Sequence, residues 1–341
     1  MMIGRWIGAG LVAMAATTVA MPAAATPAGL SVMTYNVDGL PWPLASGRPE
    51  AMAAIAAQLR ALRRAGRQPA VVALQEAFGD DAKAIGQAAG YRYMAVGPAR
   101  DQSPPAQTAS DRRFMDDGSI FAGERLGKRV DSGLVIFSDN PILAVRRMAY
   151  SVCAGYDCLA NKGALAALIA VPGAGPVTVI DTHLNSACAS GVPRARHRYA
   201  YRRQLEQLAG FEQSLARPDT VMLTAGDFNV GQDPRRNADF RTRFVAASGR
   251  LGIAAANGVR VAAAGLNDLR ASLQRRKDWL LYRPSAFYAV RPIELTPFGR
   301  DRDGTMLSDH IGVVVRYGLR ALTGGASITA ARDRAVTRAS T

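Results

Sequence analysis

The chain contains three histidines, and two of them stand beside acidic or amide residues. His183 lies in Asp181-Thr-His-Leu-Asn185, and His310 follows Ser308 and Asp309. An imidazole titrates near neutrality, so either could hold or take a proton at physiological pH. Carboxylates and amides also fall at the ends of runs that are otherwise apolar. Asn36 closes Tyr-Asn-Val, Glu76 closes Val-Val-Ala-Leu-Gln-Glu, Asp227 and Asn229 close Leu-Thr-Ala-Gly-Asp-Phe-Asn, and Asp278 opens Asp-Trp-Leu-Leu. In a strand, residues two apart share a face, so Asp227 and Asn229 can address one ligand while Phe228 packs behind. Turn capping is the structural alternative for each of them taken alone. A hard cation such as Mg2+ needs one or two carboxylates and leaves the rest of its shell to water and phosphate, so Glu76 with one Asp suffices. Neither HxxxH nor CxxC spacing occurs in the sequence, which argues against zinc. Asp309 and His310, being adjacent, would face different sides of an extended segment, one toward a metal and the other toward an attacking water. His197, flanked by Arg196 and Arg198, reads as a surface residue.

Such residues need strands to carry them. Val- and Ile-rich stretches predict strands over Leu30 to Val37, Ala70 to Ala77, Ser132 to Ser138, Gly163 to Val171, Pro176 to Leu184, Val221 to Asn229, Asp278 to Arg283 and His310 to Tyr317. Between the first two, Met52, Ile55, Leu59 and Leu62 recur at helical spacing, with Pro49 suited to the first turn and Gly66 to the stop. A second helix is predicted from Arg194 to Leu215, with Leu205, Leu208 and Phe211 on one stripe and a solvated Arg-rich face opposite. The segment from Gly97 to Lys128 gathers Pro, Ser, Asp and Arg and predicts a mobile loop, a candidate for substrate selection.

The 341 residues carry 42 Lys+Arg against 27 Asp+Glu, a formal charge of +15 that favours polyanions, anionic lipid surfaces or phosphate-bearing substrates without choosing among them. Residues 1–25 carry Arg5, an apolar run and Ala23 with Ala25 in an A-x-A arrangement, which predicts a signal peptide and a secreted or periplasmic location. Residues 26–321 are then long enough for one domain with a substantial core, and residues 322–341 form a polar basic tail expected to be disordered. With Cys153, Cys158 and Cys188 exported, one disulfide and one leftover thiol are expected, and the spacing leaves the pairing open.

Taken in order, Y-N-V, L-Q-E, S-G-L-V-I-F-S, T-H-L-N, G-D-F-N, K-D-W-L-L and S-D-H resemble the endonuclease/exonuclease/phosphatase superfamily between Ser31 and Tyr317. That resemblance implies an α/β fold, a four-layer sandwich of two mixed sheets with helices outside. It implies that Glu76 binds the catalytic Mg2+, for which Mn2+, Co2+ or Ca2+ could substitute, with Asn36 positioning metal or phosphate and Asp309 near the metal. Asp227 and Asn229 would orient nucleophile and phosphoryl oxygens, and His183 would contact the phosphate or help the leaving group. Asp278 would orient His310, which becomes the candidate base.

Within the superfamily, Cys153 to Leu168 with its Asn161-Lys162-Gly163, followed by the segment around His183, is similar to the neutral sphingomyelinase branch. There Asn161 and Lys162 could contact phosphate, and a disulfide from Cys153 or Cys158 to Cys188 would suit the secreted members. Lipid-cleaving members often carry an aromatic hairpin, whereas Pro284 to Leu307 offers only Phe287, Tyr288 and Phe298. The expectation is a monomeric phosphodiesterase acting on a phosphate ester such as sphingomyelin, with an anionic membrane surface as a partner. A secreted nuclease acting on nucleic acid is the alternative, and a non-catalytic polyanion- or membrane-binding protein is the alternative of another class.

Overall fold

The computed structural model describes residues 28–40, 46–248, 252–253, 259–261 and 265–322. The predicted signal peptide and tail therefore lie outside the described residues, apart from Leu322. In chain order the elements are β1 (Ala28–Asn36), α1 (Arg48–Arg64), β2 (Val71–Gln75), α2 (Asp80–Ala89), β3 (Tyr93–Val96), α3 (Ala109–Asp116), β4 (Val135–Ser138) and β5 (Ile142–Ala149). They continue with β6 (Gly163–Val171), β7 (Gly175–His183), α4 (Arg194–Leu215), β8 (Val221–Asp227), α5 (Pro234–Asp239), β9 (Gly252–Ile253), β10 (Arg260–Val261), α6 (Leu266–Arg275), β11 (Asp278–Arg283), β12 (Tyr288–Phe298) and β13 (Gly312–Ala321).

Among the described residues the strands form two mixed sheets, one ordered β10-β12-β13-β1-β2-β4-β3 and the other β5-β6-β7-β8-β11-β9. Their inner faces share one apolar core. Val32, Val71, Ala73 and Ile136 of the first sheet meet Leu165, Val179, Leu223 and Leu280 of the second. The outer face of the first sheet is sealed by α1 and α2, whose Met52, Ile55, Leu59 and Ile85 pack on Met33, Tyr35, Val72 and Phe137. The outer face of the second is sealed by Tyr201, Leu205 and Leu208 of α4 with Phe240 and Phe244. Each sheet is thus apolar on both sides, and that is why the motif-bearing strands read as nearly continuous hydrophobic runs rather than as alternating ones. This is the four-layer α/β sandwich that the motif order implied.

Three readings need correction. The segment from Gly97 to Lys128 is not a bare loop: Thr108 caps α3 in a reciprocal capping box with Asp111. Arg203 donates to both oxygens of Asp111 at 2.8 and 2.9 Å, so α3 is tied to α4. His197 is buried rather than on the surface, with its Nδ1 3.3 Å from the Arg236 guanidinium. The disulfide joins Cys153 to Cys158, with Cα atoms 5.1 Å apart, while Cys188 is a free and exposed thiol. That short bridge closes a loop the chain already folds back on itself, and the resemblance-implied link to Cys188 is not made. No helix among the described residues is long and apolar enough to cross a membrane.

Candidate active site

Strand register assembles the site. β7 and β8 are parallel and pair His183 with Asp227, and β8 and β11 are antiparallel and pair Asp227 with Asp278. Three polar residues from three strands thereby stand side by side at one end of the second sheet. In the first sheet, parallel β1 and β2 pair Asn36 with Gln75, which places Glu76 just past the strand end. The turn before β13 brings Ser308, Asp309 and His310 to the same end, where the Ser308 hydroxyl donates to the Asn36 carbonyl at 2.7 Å.

The two sheets are joined across this end by Asn36. Its Nδ2 donates to Glu76 Oε1 at 2.8 Å and to Asp227 Oδ2 at 3.2 Å, while its Oδ1 accepts the Asp38 amide at 3.0 Å. Asp227 Oδ2 is the hub of the site, with His183 Nε2 at 3.6 Å and His310 Nε2 at 3.7 Å. His310 Nδ1 donates to the Asp278 carboxylate at 2.8 and 2.9 Å, which fixes the ring and leaves Nε2 facing the cleft. Potential ligand atoms of Asp227, Asp278 and His310 all lie within 4.8 Å of one another. Because Asp278 is committed to His310 Nδ1, the oxygens best placed for a hard cation are those of Glu76 and Asp227.

Backbone strain is concentrated here. The non-glycine residues with positive φ among the described residues are Asp38, Glu76, Asn229 and Arg276, and Glu76 at φ 56° and Asn229 at φ 47° both carry site side chains. The Asn229 amide donates to Asp227 Oδ1 at 2.9 Å, and its Nδ2 donates to the Leu184 carbonyl at 2.9 Å, so this strained turn braces the hub. Gly226 explains the glycine of G-D-F-N, because a Cβ there would meet the Thr182 carbonyl oxygen at 2.1 Å and push β8 off β7. Gly133 does the same for Glu76: it sits at φ +65°, and a Cβ would meet the Phe78 ring at 2.6 Å and Glu76 Cα at 3.1 Å.

The two site histidines are driven in opposite directions. Burial and the neighbouring Lys162 lower His183 to about 3, so its ring is neutral. Lys162 Nζ donates to His183 Nε2 at 3.0 Å, which places the ring proton on Nδ1. Burial disfavours a charge on His310 as well, but Asp278 and Asp227 outweigh it and raise the imidazole to about 9. Burial pushes the Glu76 carboxyl up, with the Asn36 hydrogen bond and Lys162 only partly opposing it. Asp227 is desolvated too, yet His310 and His183 hold its carboxyl well below the usual carboxylate range. Glu76 is therefore the site acid left short of positive charge, since the Lys162 ammonium is itself ion-paired to Asp157.

Asp309 lies at the rim, 61% exposed, 3.9 Å from His310 Nε2 and 3.7 Å from Arg275. Residues 307–310 form a bend rather than the expected extended segment, so the exposed Asp309 carboxylate and the buried His310 ring lie near each other instead of on opposite sides. Asn161 is buried, but its amide donates to the Ala99 and Gln102 carbonyls at 2.7 and 3.0 Å, which pins the 97–102 segment instead of joining the cluster.

Several supporting residues were not signalled by the motifs. Asp157, inside the disulfide loop, pairs with Lys162 and accepts from Asn185 Nδ2 at 3.0 Å and the Ser186 amide at 2.8 Å. Arg236 is fully buried over the Tyr201 ring, 3.7 Å from its centroid, and donates to the Asn229 carbonyl at 3.0 Å. Behind the site Gln75 donates to Asp181 Oδ1 at 2.7 Å, a polar link between the sheets in an otherwise apolar core. The burial of Asp181 raises its carboxyl well above the usual range, which favours the protonated form there. The one sequence signal for Asp157 was its place between two cysteines.

Residues 33–310 match the model of the Endonuclease/Exonuclease/phosphatase family. Among solved structures, Staphylococcus aureus beta toxin superposes with a TM-score of 0.58 at 18% identity, covering 84% of this chain and 99% of that one. Sphingomyelinase C from Streptomyces griseocarneus gives 0.56 at 21% identity, covering 84% and 99%. D. rerio TDP2 complexed with a single-strand DNA product gives 0.54 at 16% identity, covering 85% and 99%. No curated protein sequence matches the chain.

Proposed function

The chain belongs to the endonuclease/exonuclease/phosphatase family, and from that premise we propose that it is a divalent-metal-dependent hydrolase of a phosphodiester, with a choline-type phospholipid such as sphingomyelin as the first substrate to test. The observation that carries this reading is the convergence of the His310–Asp278 pair with Asn36, Glu76 and Asp227 at one end of the sandwich. The cation site fits the donors present: part-buried Glu76 and buried Asp227 supply hard oxygen ligands beside Asn36. A divalent cation held there, Mg2+ foremost, would neutralise the charge on a bound phosphoryl group. One of the similar structures, a beta toxin variant, was solved with bound magnesium ions, at 18% identity.

The protein's own residues have separate tasks. Asp278 holds His310 in the tautomer that keeps Nε2 toward the cleft, and Asp227 stands 3.7 Å from that nitrogen. Asp278 and Asp227 keep His310 protonated; with a cation held on Asp227 one of these pulls would weaken, so that His310 could lose its Nε2 proton to solvent and then accept one from an incoming water. Neutral His183 accepts from Lys162 at Nε2, so it would contact a phosphoryl or leaving oxygen only in the other tautomer, with its proton on Nε2 and that oxygen in place of Lys162 as partner. Asn229 keeps Asp227 in place, and Asp309 at the rim adds negative charge beside the entrance. The reaction is then in-line displacement at phosphorus, in which the protein contributes position, charge and a base.

The Cys153–Cys158 disulfide supports work in an oxidising compartment, consistent with export. The nuclease reading is favoured by the net charge of +15 and by the fold shared with TDP2, and the choice is experimental. Sphingomyelin vesicles, supercoiled plasmid and bis(p-nitrophenyl) phosphate should each be offered with Mg2+ and with EDTA. Release of phosphocholine only in the Mg2+ arm supports the lipid reading, and plasmid nicking without phosphocholine release overturns it in favour of the nuclease.

A further inference from the structure

The exposed large apolar residues are not evenly scattered. Ile120, Phe121, Leu126 and Tyr156 are all exposed, Phe121 at 91% and Tyr156 at 53%. They come from two segments that touch. The Tyr156 hydroxyl donates to the Phe121 carbonyl at 3.3 Å, and Gly123 is so close to Tyr156 that a Cβ there would meet its ring at 3.1 Å.

The tip is held rigidly by a buried acid. Glu124 accepts the Ser119 amide at 2.6 Å and the Gly155 amide at 3.0 Å, and it is ion-paired to Arg196 of α4. The Glu124 amide donates back to the Ser119 carbonyl at 3.0 Å, and the Gly123 amide to Ile120 at 3.1 Å, so a closed turn presents Ile120 and Phe121 outward. The polar side chain of the turn points in and the aromatic one points out. A water-facing turn would favour the reverse, so the arrangement marks a contact surface.

The charge around this tip selects a partner. Arg112, Arg113, Arg125 and Arg129 are exposed near it in sequence, against the exposed acids Asp116 and Asp117, while Glu124 is buried and neutralised by Arg196. An apolar tip whose own segment carries exposed Arg125 and Arg129 on either side of Leu126 complements an anionic bilayer, where aromatic and aliphatic side chains enter the interfacial region and arginines meet lipid phosphates. Position supplies the link to the cleft. Tyr156 is adjacent to Asp157, which pairs with the Lys162 that contacts His183, and both lie in the loop closed by the Cys153–Cys158 bridge.

We propose that Ile120, Phe121, Leu126 and Tyr156 form a docking surface for anionic lipid bilayers, seated on the Glu124 turn and coupled to the catalytic end through the 153–158 loop. The docking stands apart from the chemistry, and it rests on the phosphoesterase reading only in making a membrane lipid the natural substrate. The test is cosedimentation of the full chain with vesicles of phosphatidylcholine containing phosphatidylglycerol, and with pure phosphatidylcholine, in EDTA so that turnover plays no part. Wild-type protein should partition to the anionic vesicles. The double variant Ile120→Ser, Phe121→Ser should lose at least about tenfold in partition, the scale expected for withdrawing buried aromatic and aliphatic area. Arg125→Glu should weaken binding to the anionic vesicles only. Hydrolysis of soluble bis(p-nitrophenyl) phosphate with Mg2+ should be the same in both variants as in wild type, and its absence in wild type would sink the phosphoesterase reading without touching the docking result. Wild-type protein that stays in the supernatant, a double variant that binds as well as wild type, or a Phe121-dependent association with plasmid rather than vesicles would overturn the docking surface.

Discussion

Asp111 and Glu124, beneath the 97–128 segment, are buried acids surrounded by enough donors: Asp111 takes two bonds from Arg203 and one from Tyr199, and Glu124 has Arg196 with two backbone amides. Asp227 and Glu76, in the cleft, have fewer. Asp227 accepts from Asn36 and from the Asn229 amide and keeps its charge beside His310, whereas the part-buried Glu76 accepts from Asn36, and its neighbouring ring, His183, is held neutral. Matched acids fasten α3 and the 119–124 turn to α4. The unmatched acid, Glu76, is left for a ligand. The same residue types serve as fasteners in one place and as a binding site in the other, and the count of donors around each carboxylate separates the two.

The contrast can be broken most forcefully in the cleft. His310→Asn, whose amide can still donate to Asp278, should lower kcat by about 10²- to 10⁴-fold, the usual contribution of a general base, while the thermal midpoint falls less than in Asp111→Asn. Steady-state rates on a soluble diester with a parallel melt check both halves. A variant that melted early would put His310 among the fasteners.

Asp111→Asn should do the opposite. Loss of the charge that Arg203 and Tyr199 surround should cost about 2–3 kcal/mol in urea unfolding and leave kcat/KM unchanged. The pH dependence has a definite sign. Arg203 hydrogen bonds, against burial, hold the Asp111 carboxyl below the usual range, so its stabilisation is complete above the ordinary carboxylate value and fades as pH falls. The gap between wild type and Asp111→Asn should therefore be full at neutral pH and narrow below about pH 4. A gap that stayed constant into acid would show that the charge is not what fastens the segment.

The disulfide loop joins the two regions, and smaller effects are expected there. Replacing Cys153 and Cys158 by Ser should cost about 2 kcal/mol, since the bridge closes a loop of only about six residues, and should lower kcat as Asp157 loosens its hold on Lys162. Thermal melts and rates with and without reductant report it. Cys188→Ser should change stability by under about 0.5 kcal/mol, as for other surface positions. A large effect of that change would point to pairing in solution that differs from Cys153–Cys158.

Much of this was legible in the sequence because the sheets are buried on both faces. Strands such as Val221–Asp227 then appear as apolar runs, against which Asp227 or Glu76 at a strand end stands out. Strands that lack this contrast were hidden. Tyr93–Val96 is four residues long at a sheet edge, Ile142–Ala149 is half exposed and carries Arg146 and Arg147, and Tyr288–Phe298 contains Pro292 and Pro297. Tyr288 and Phe298, the aromatics of that last strand, are buried. Site support was hidden for another reason. Asp157 meets Lys162 and Ser186, and His197 meets Arg236, only after folding, so neighbours in sequence give no hint of the partner. The 97–128 segment has the composition of a loop, and its order depends on Arg196 and Arg203 from α4.

The most direct test of the unmatched-acid account is a Mg2+ titration of EDTA-stripped protein, wild type beside Glu76→Gln, followed by hydrolysis of bis(p-nitrophenyl) phosphate and by thermal melting. The account predicts no turnover in EDTA, recovery and a higher melting temperature for wild type as Mg2+ is added, and neither response in Glu76→Gln. Full turnover in EDTA, or a Glu76→Gln variant that responds to Mg2+ as wild type does, would contradict it.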